Sequence, residues 1–113
     1  MATTATPINN KTVDPNYGVS YAFTSNETGD SYELPIGDRS VQVAGTWNGA
    51  TVSIQGSNDG TNWATLTDGL GNSLALTADG IKPIAEFTKL IRAKVTSGSV
   101  TSVAVTILGR RGF

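Results

Sequence analysis

The chain has 113 residues, a formal net charge of -1, and neither histidine nor cysteine. That length is typical of one domain with a single core, and the missing residue types exclude a Ser-His-Asp triad, a thiolate nucleophile, disulfides and the usual zinc ligands. The chain starts without a basic or an apolar stretch, and no apolar run approaches the roughly 18 residues of a membrane span, so we expect a soluble protein without a secretory signal.

Residues 1–17 are rich in Thr, Asn and Pro and hold few large apolar side chains. Such a segment buries too little apolar surface to offset the entropy lost on ordering. We therefore expect an extended or flexible N-terminal arm over 1–17, which gains order only from a neighbouring molecule, and a single domain over 18–113.

From Val19 onward, short alternating apolar runs are separated by turn signals. This spacing is typical of a sandwich or barrel. We predict an all-β fold, namely an antiparallel β-sandwich (Ig-like or jelly-roll-like) of eight or nine short strands. Apart from the two hairpins described next, the predicted strands are 19–24, 31–34, 63–67, 74–77 and 84–87.

The segment 39–56, RSVQVAGTWNGATVSIQG, predicts a β-hairpin. Asn48-Gly49 is a strong signal for a two-residue loop, because both positions tolerate positive φ. Such a loop would pair Val43 with Ile54, so that apolar residues lie opposite apolar residues. Turn chemistry and hydrophobic pattern therefore agree on one register.

A second hairpin is predicted around residues 97–99, Ser-Gly-Ser. A three-residue loop there would pair Ile91 with Val105, and Gly98 would supply the left-handed residue that such loops need. The preceding segment, IAEFTKLIRAKV, also fits a helical stripe. We favour a strand, because residues 92–95 alternate and β-branched residues dominate the segment after the loop.

The stretch 54–63, IQGSNDGTNW, resembles a metal loop at first sight. It offers one carboxylate, Asp59, where a calcium loop needs several, so we interpret it as a turn closed by a buried Trp63. The other acids mostly lie beside Gly, Ser or Asn, where Asp is a turn former. We expect no catalytic, cofactor-binding or metal-binding residues.

Aromatic side chains at loop tips suggest an alternative, a sugar-binding surface. Trp47 lies beside the predicted hairpin tip, and Tyr32 could join it, although both could equally cover the ends of the core. The candidate ligand surface consists of Trp47, Asp59 and Asn62.

Charge is distributed unevenly along the chain. Residues 1–81 hold eight acids and two bases, whereas 82–113 hold six bases and one acid. This asymmetry indicates either internal complementarity or a basic edge that docks on an acidic neighbour. Nucleic-acid binding is not expected, because the bases lack an aromatic platform. The candidate assembly interface consists of Lys11, Lys89, Arg92, Lys94, Arg110 and Arg111.

The run from Gly45 to Arg111 resembles a group of small tailed-bacteriophage proteins. In that group a G-T-W/F-x-G-A-T-V strand leads to Q-G-S-N-D-G-T-N-W, then to L-T-D and G-N, a Y/L-I-R strand and a closing V-T and R-R. The phrase GSNDGTNW is also similar to a hairpin of discoidin-like carbohydrate-binding domains.

The phage resemblance implies a non-enzymatic virion component. The role it favours is a capsid decoration or cement protein, made in the host bacterial cytoplasm, that binds the major capsid protein on the exterior of the virion as a homo-trimer. It implies no cofactor, membrane or nucleic-acid partner. The alternatives are a carbohydrate-binding tail-fibre or adhesin-like module, and a head-tail connector component.

Overall fold

The structure, a computed structural model, describes residues 6–10, 16–34, 38–98 and 102–110. Within these ranges every regular element is a β-strand, and no helix is long and apolar enough to cross a membrane. The strands are β1 Thr6–Asn10, β2 Asn16–Phe23, β3 Tyr32–Glu33, β4 Asp38–Thr46, β5 Thr51–Ser57, β6 Ala64–Thr65, β7 Ala75–Leu76, β8 Gly80–Ile84, β9 Leu90–Thr96 and β10 Ser102–Arg110.

The strands form two antiparallel sheets, which confirms the predicted sandwich. The first sheet has the order β1-β2-β10-β4-β8, and the second has the order β3-β9-β5-β6, with β7 also paired to β5. β1 consists of residues from the predicted arm and pairs with β2 of the same chain, so this part of the arm is ordered without a neighbouring molecule, contrary to the expectation. The arm's residues 1–5 and 11–15 lie outside the described residues.

Alternate side chains of the long strands point between the sheets and form one core, as the period of two requires. The Tyr21 and Phe23 rings stack there with centroids 5.7 Å apart. The buried apolar residues are Val19, Tyr21, Phe23, Leu34, Val41, Val43, Ala50, Val52, Ile54, Leu66, Leu74, Ile84, Ile91, Ala93, Val95, Val103, Val105 and Ile107.

Both predicted hairpins are wrong, because in each the two strands lie in different sheets. Val43 pairs with Val105 in the first sheet, whereas Ile54 pairs with Ala93 in the second. Ile91 pairs with Gly56 on β5. The chain therefore crosses between the sheets at both connections.

The turn chemistry at the first crossing is nevertheless as predicted. Asn48 and Gly49 have φ values of 47° and 81°, and the Ala50 amide donates to the Trp47 carbonyl at 2.8 Å. These values are those of a type I′ turn. At the second crossing Gly98 is left-handed with φ 61°, as predicted, while 99–101 lie outside the described residues.

The two crossings pack directly on one another. The Ser97 hydroxyl donates to the Gly49 carbonyl at 3.1 Å, and a Cβ on Gly98 would lie 2.5 Å from the Asn48 carbonyl oxygen. The Asn26 amide nitrogen donates to the carbonyls of Ser97 and Gly98 at 2.8 and 2.9 Å. One end of the sandwich is thus closed by backbone packing and by side chains that donate hydrogen bonds to that backbone.

The strand interpretation of residues 91–95 is confirmed by β9, but the predicted strand 84–87 is misplaced. β8 ends at Ile84, because the next residues bind Thr67 instead. The Ala85 amide donates to the Thr67 carbonyl at 2.9 Å, and the Glu86 carboxylate accepts from the Thr67 amide and hydroxyl at 2.8 and 2.7 Å.

Replacing Gly98 by alanine should destabilise the protein far more than replacing Gly69. Both glycines have positive φ, but a Cβ on Gly98 meets backbone atoms, whereas a Cβ on Gly69 meets nothing within 4 Å. We expect Gly69→Ala to cost about 1 kcal/mol of backbone strain and Gly98→Ala at least about 2 kcal/mol more from the clash. Denaturant unfolding of both variants measures this, and equal costs would contradict the proposed close packing.

Candidate functional site

The Asp59 loop is closed by its own hydrogen bonds. Asp59 Oδ1 accepts from the amides of Thr61 and Asn62, both at 2.8 Å, and from the Ser57 hydroxyl at 2.9 Å. Oδ2 accepts from the Asn62 side-chain amide at 2.8 Å. The bonds from the Asn62 and Thr61 amides hold the pKa of Asp59 well below its usual range.

Neighbouring residues attach this loop to the second sheet. The Asn58 carbonyl oxygen Oδ1 accepts from the Lys89 amide at 2.8 Å. Trp63 is half-buried outside the core rather than buried as predicted, and the Arg92 guanidinium lies 4.0 Å from its ring centroid. The loop is thus a turn with a tryptophan anchor. Among the described residues, no three His, Cys, Asp or Glu side chains come together as a metal would require.

Trp47 lies at the other end of β5 from Asp59 and Asn62. It precedes the turn into β5, whereas the other two residues follow that strand. The structure therefore does not bring the three residues of the candidate ligand surface together. Trp47 and Tyr32 both pack against the core.

A cleft of about 400 Å³ lies where Asp79 connects β7 to β8. The cleft is lined by the buried Val43 and Leu74 and by the exposed Asp79 and Lys82. Asp79 Oδ1 accepts from the Trp47 indole N–H at 2.7 Å and from a backbone amide at 3.0 Å. Oδ2 accepts no hydrogen bond from the described residues. The cleft therefore combines an apolar floor with an oriented carboxylate.

A second acid in this cleft, Asp68, belongs to another closed loop. Its side chain is buried and accepts from the amides of Leu70 and Asn72 at 2.9 and 3.2 Å. The bond from the Leu70 amide is the main reason why the pKa of Asp68 is lowered. These bonds leave Leu70 at the tip of the loop, 87% exposed.

The structure does not gather the candidate basic residues into one patch. Lys89 is exposed just before β9, while Arg92 and Lys94 are half-buried on the outer face of that strand. Arg92 is already engaged, because its Nε donates to Gln55 Oε1 at 2.8 Å. Lys11 and Arg111 lie outside the described residues, and only the backbone of Arg110 is described.

Sequence reasoning missed a buried arginine and the aromatic ring beside it. Arg39 is 3% exposed, shares the inward face of β4, and has its guanidinium carbon 5.0 Å from the centroid of Phe87. Burial lowers the pKa of Arg39 to about 10, so the side chain stays charged at neutral pH. The only available signal was the position of Arg39 in the alternation of RSVQV, two residues before the buried Val41.

Comparisons with known proteins show a likeness in fold. No protein-family model matches the chain, and no curated protein matches it. The crystal structure of the SPBc2 prophage-derived protein YomS is similar, with a TM-score of 0.64 and 12% sequence identity. The match covers 88% of this chain and 98% of that chain. The likeness therefore covers nearly the whole sandwich.

The contribution of Asp59 to stability should depend on pH. The folded-state pKa is depressed, so the stabilisation is complete above the unfolded value, about 3.9, and is lost as the pH falls through the folded value. The Asp59→Asn variant keeps an acceptor oxygen but loses the charge, so it should be less stable than the wild type at pH 7 and closer to it at pH 3. Urea midpoints of both proteins at the two pH values test this. If the difference between the two urea midpoints is the same at pH 7 and at pH 3, the charge of Asp59 contributes nothing to stability.

Proposed function

We propose that this chain is a structural protein of a bacteriophage virion. The observation that carries the proposal is the sandwich shared over 88% of the chain with a prophage-derived protein. The phage-like phrases between Gly45 and Arg111 support it from the sequence. Proteins with 12% sequence identity can carry different sites on the same fold, so we argue the specific role from the surface of this chain.

The specific role that we propose is decoration of the capsid exterior, with the major capsid protein as partner and a homo-trimer as the bound form. This role requires no catalysis, which agrees with a chain without histidine or cysteine. It requires a rigid body and many copies, so that weak contacts add up. The closed loops at Asp59 and Asp68 and the stacked crossings at Gly98 provide rigidity.

The second candidate function is carbohydrate binding, as in a tail-fibre or adhesin-like module. The observation that favours it is the cleft whose Asp79 carboxylate is oriented by the Trp47 indole. An apolar floor with a few fixed polar groups is typical of small-molecule sites. The site would use Asp79 and Lys82 in place of Asp59 and Asn62.

The decoration role predicts that purified protein co-sediments with capsids in copy numbers set by icosahedral symmetry. Removal of residues 1–15 should weaken this binding and leave the domain folded, because the described core begins at Val19 and β2 keeps β10 as partner. Quantitative gel analysis of the pellet gives the copy number, and thermal unfolding checks the fold. Ring-sized copy numbers at one vertex would indicate a head-tail connector, and no capsid binding would contradict the role.

The carbohydrate alternative predicts a saturable response to a simple sugar. The chain has two tryptophans, so a Trp63→Phe background leaves Trp47 as the sole tryptophan reporter. Titration with methyl β-D-glucopyranoside or N-acetylglucosamine should change its fluorescence, Asp79→Asn should abolish the change, and Asp59→Asn should leave it intact. A flat titration with both sugars would count against this alternative.

A further inference from the structure

Phe87 is an exposed aromatic ring that the fold holds in place. It is 61% exposed and lies in the loop between β8 and β9. The buried Arg39 guanidinium lies 5.0 Å from its ring centroid, within the range of a cation–π interaction. Aromatic side chains are enriched at protein–protein interfaces relative to the rest of the surface.

The backbone around Phe87 is fixed by hydrogen bonds. Arg39 Nη2 donates to the carbonyls of Leu34 and Thr88, the latter at 2.6 Å. The Thr88 hydroxyl donates to the Leu90 carbonyl at 2.8 Å, and the Lys89 amide donates to Asn58 Oδ1 at 2.8 Å. A ring that is already ordered loses little conformational entropy when a partner covers it.

A groove of about 360 Å³ runs beside the ring. Its lining combines apolar surface with one carboxylate and one ammonium group. The lining residues are Glu33, Leu34, Asn58, Phe87 and Lys89. Glu33 and Lys89 are exposed, and neither charged group has an ion-pair partner among the described residues.

We propose that this groove is a two-fold contact with a second copy of the chain. Phe87 of each copy packs into the groove of the other, and Glu33 of each copy faces Lys89 of the other. A surface with one charge of each sign is complementary to itself under two-fold rotation, whereas a partner of uniform charge would meet one repulsive pair. The groove is therefore assigned to a self-association that is separate from the three-fold contact of the proposed trimer.

The proposal rests on self-association but does not require the capsid. A three-fold interface uses two different surfaces, so a two-fold contact is additional to a trimer. On a capsid it would join copies from adjacent three-fold positions. In solution it would join single chains into dimers, and it would join trimers, which carry the groove three times, into larger assemblies.

Charge reversal tests the contact by sedimentation velocity over a concentration series. We expect Glu33→Lys alone and Lys89→Glu alone each to weaken self-association by roughly tenfold, because each creates two like-charge pairs. The double variant, and an equimolar mixture of the two single variants, should both restore it. Restoration in the mixture requires contact between different copies, so a merely local effect on the loop cannot produce it.

Phe87→Ala should weaken the association at least as much, and Leu70→Ala is its matched control. Leu70 is more exposed than Phe87 but lies outside the groove, so its loss should leave the association unchanged. Wild-type protein that shows no concentration-dependent association, or single variants that associate as the wild type does, would overturn the proposal. Capsid co-sedimentation of the double variant, measured separately, distinguishes failure of this contact from failure of the decoration role.

Discussion

The architecture depends on the close packing of two sheet crossings at one end of the sandwich. Gly98 lies so near the Asn48-Gly49 turn that no side chain fits between them. Because both crossings lie at the same point, the end of β4 lies beside the start of β10 in one sheet, and the end of β9 lies beside the start of β5 in the other. Two connections between the sheets are thereby fixed next to the β4–β10 and β5–β9 pairings. The remaining strands then extend both sheets from the outer edges of these two strand pairs.

The sequence predicted the turns and the faces of the strands but not the sheet to which each strand belongs. A two-residue turn between alternating strands places Val43 and Ile54 on matching faces in a hairpin, and it does so equally when the strands lie in opposed sheets. The choice is made by distant partners, such as Val105 for Val43. The glycine at position 45, two residues before the turn segment, was a local signal of close backbone approach, because its φ is 153° and a Cβ there would clash with the Ser102 carbonyl oxygen on β10.

Local chemistry was likewise the predictable part of the candidate sites. The Asp59 loop closes over three residues, so an Asp followed by Gly, Thr and Asn was enough to indicate a turn. The contacts between Arg39 and Thr88 join residues 49 positions apart, and nothing in either segment indicates the other. In the sequence, a charged residue at an inward-facing strand position interrupts the apolar alternation, and only the structure shows which groups it binds.

The two ends of the sandwich are closed by different interactions, and the difference is relevant to function. At one end backbone packs on backbone at Gly98, and neutral side chains of Asn26 and Ser97 donate hydrogen bonds to it. At the other end a buried cation satisfies carbonyl oxygens of Leu34 and Thr88 and the face of Phe87. Burying a charge is costly, and an aliphatic residue that filled the same space would often serve stability as well or better. The aliphatic residue would not fix the loop through its carbonyls, nor hold an aromatic ring toward solvent. The arrangement at Arg39 is therefore better explained by the surface it presents than by the stability it provides.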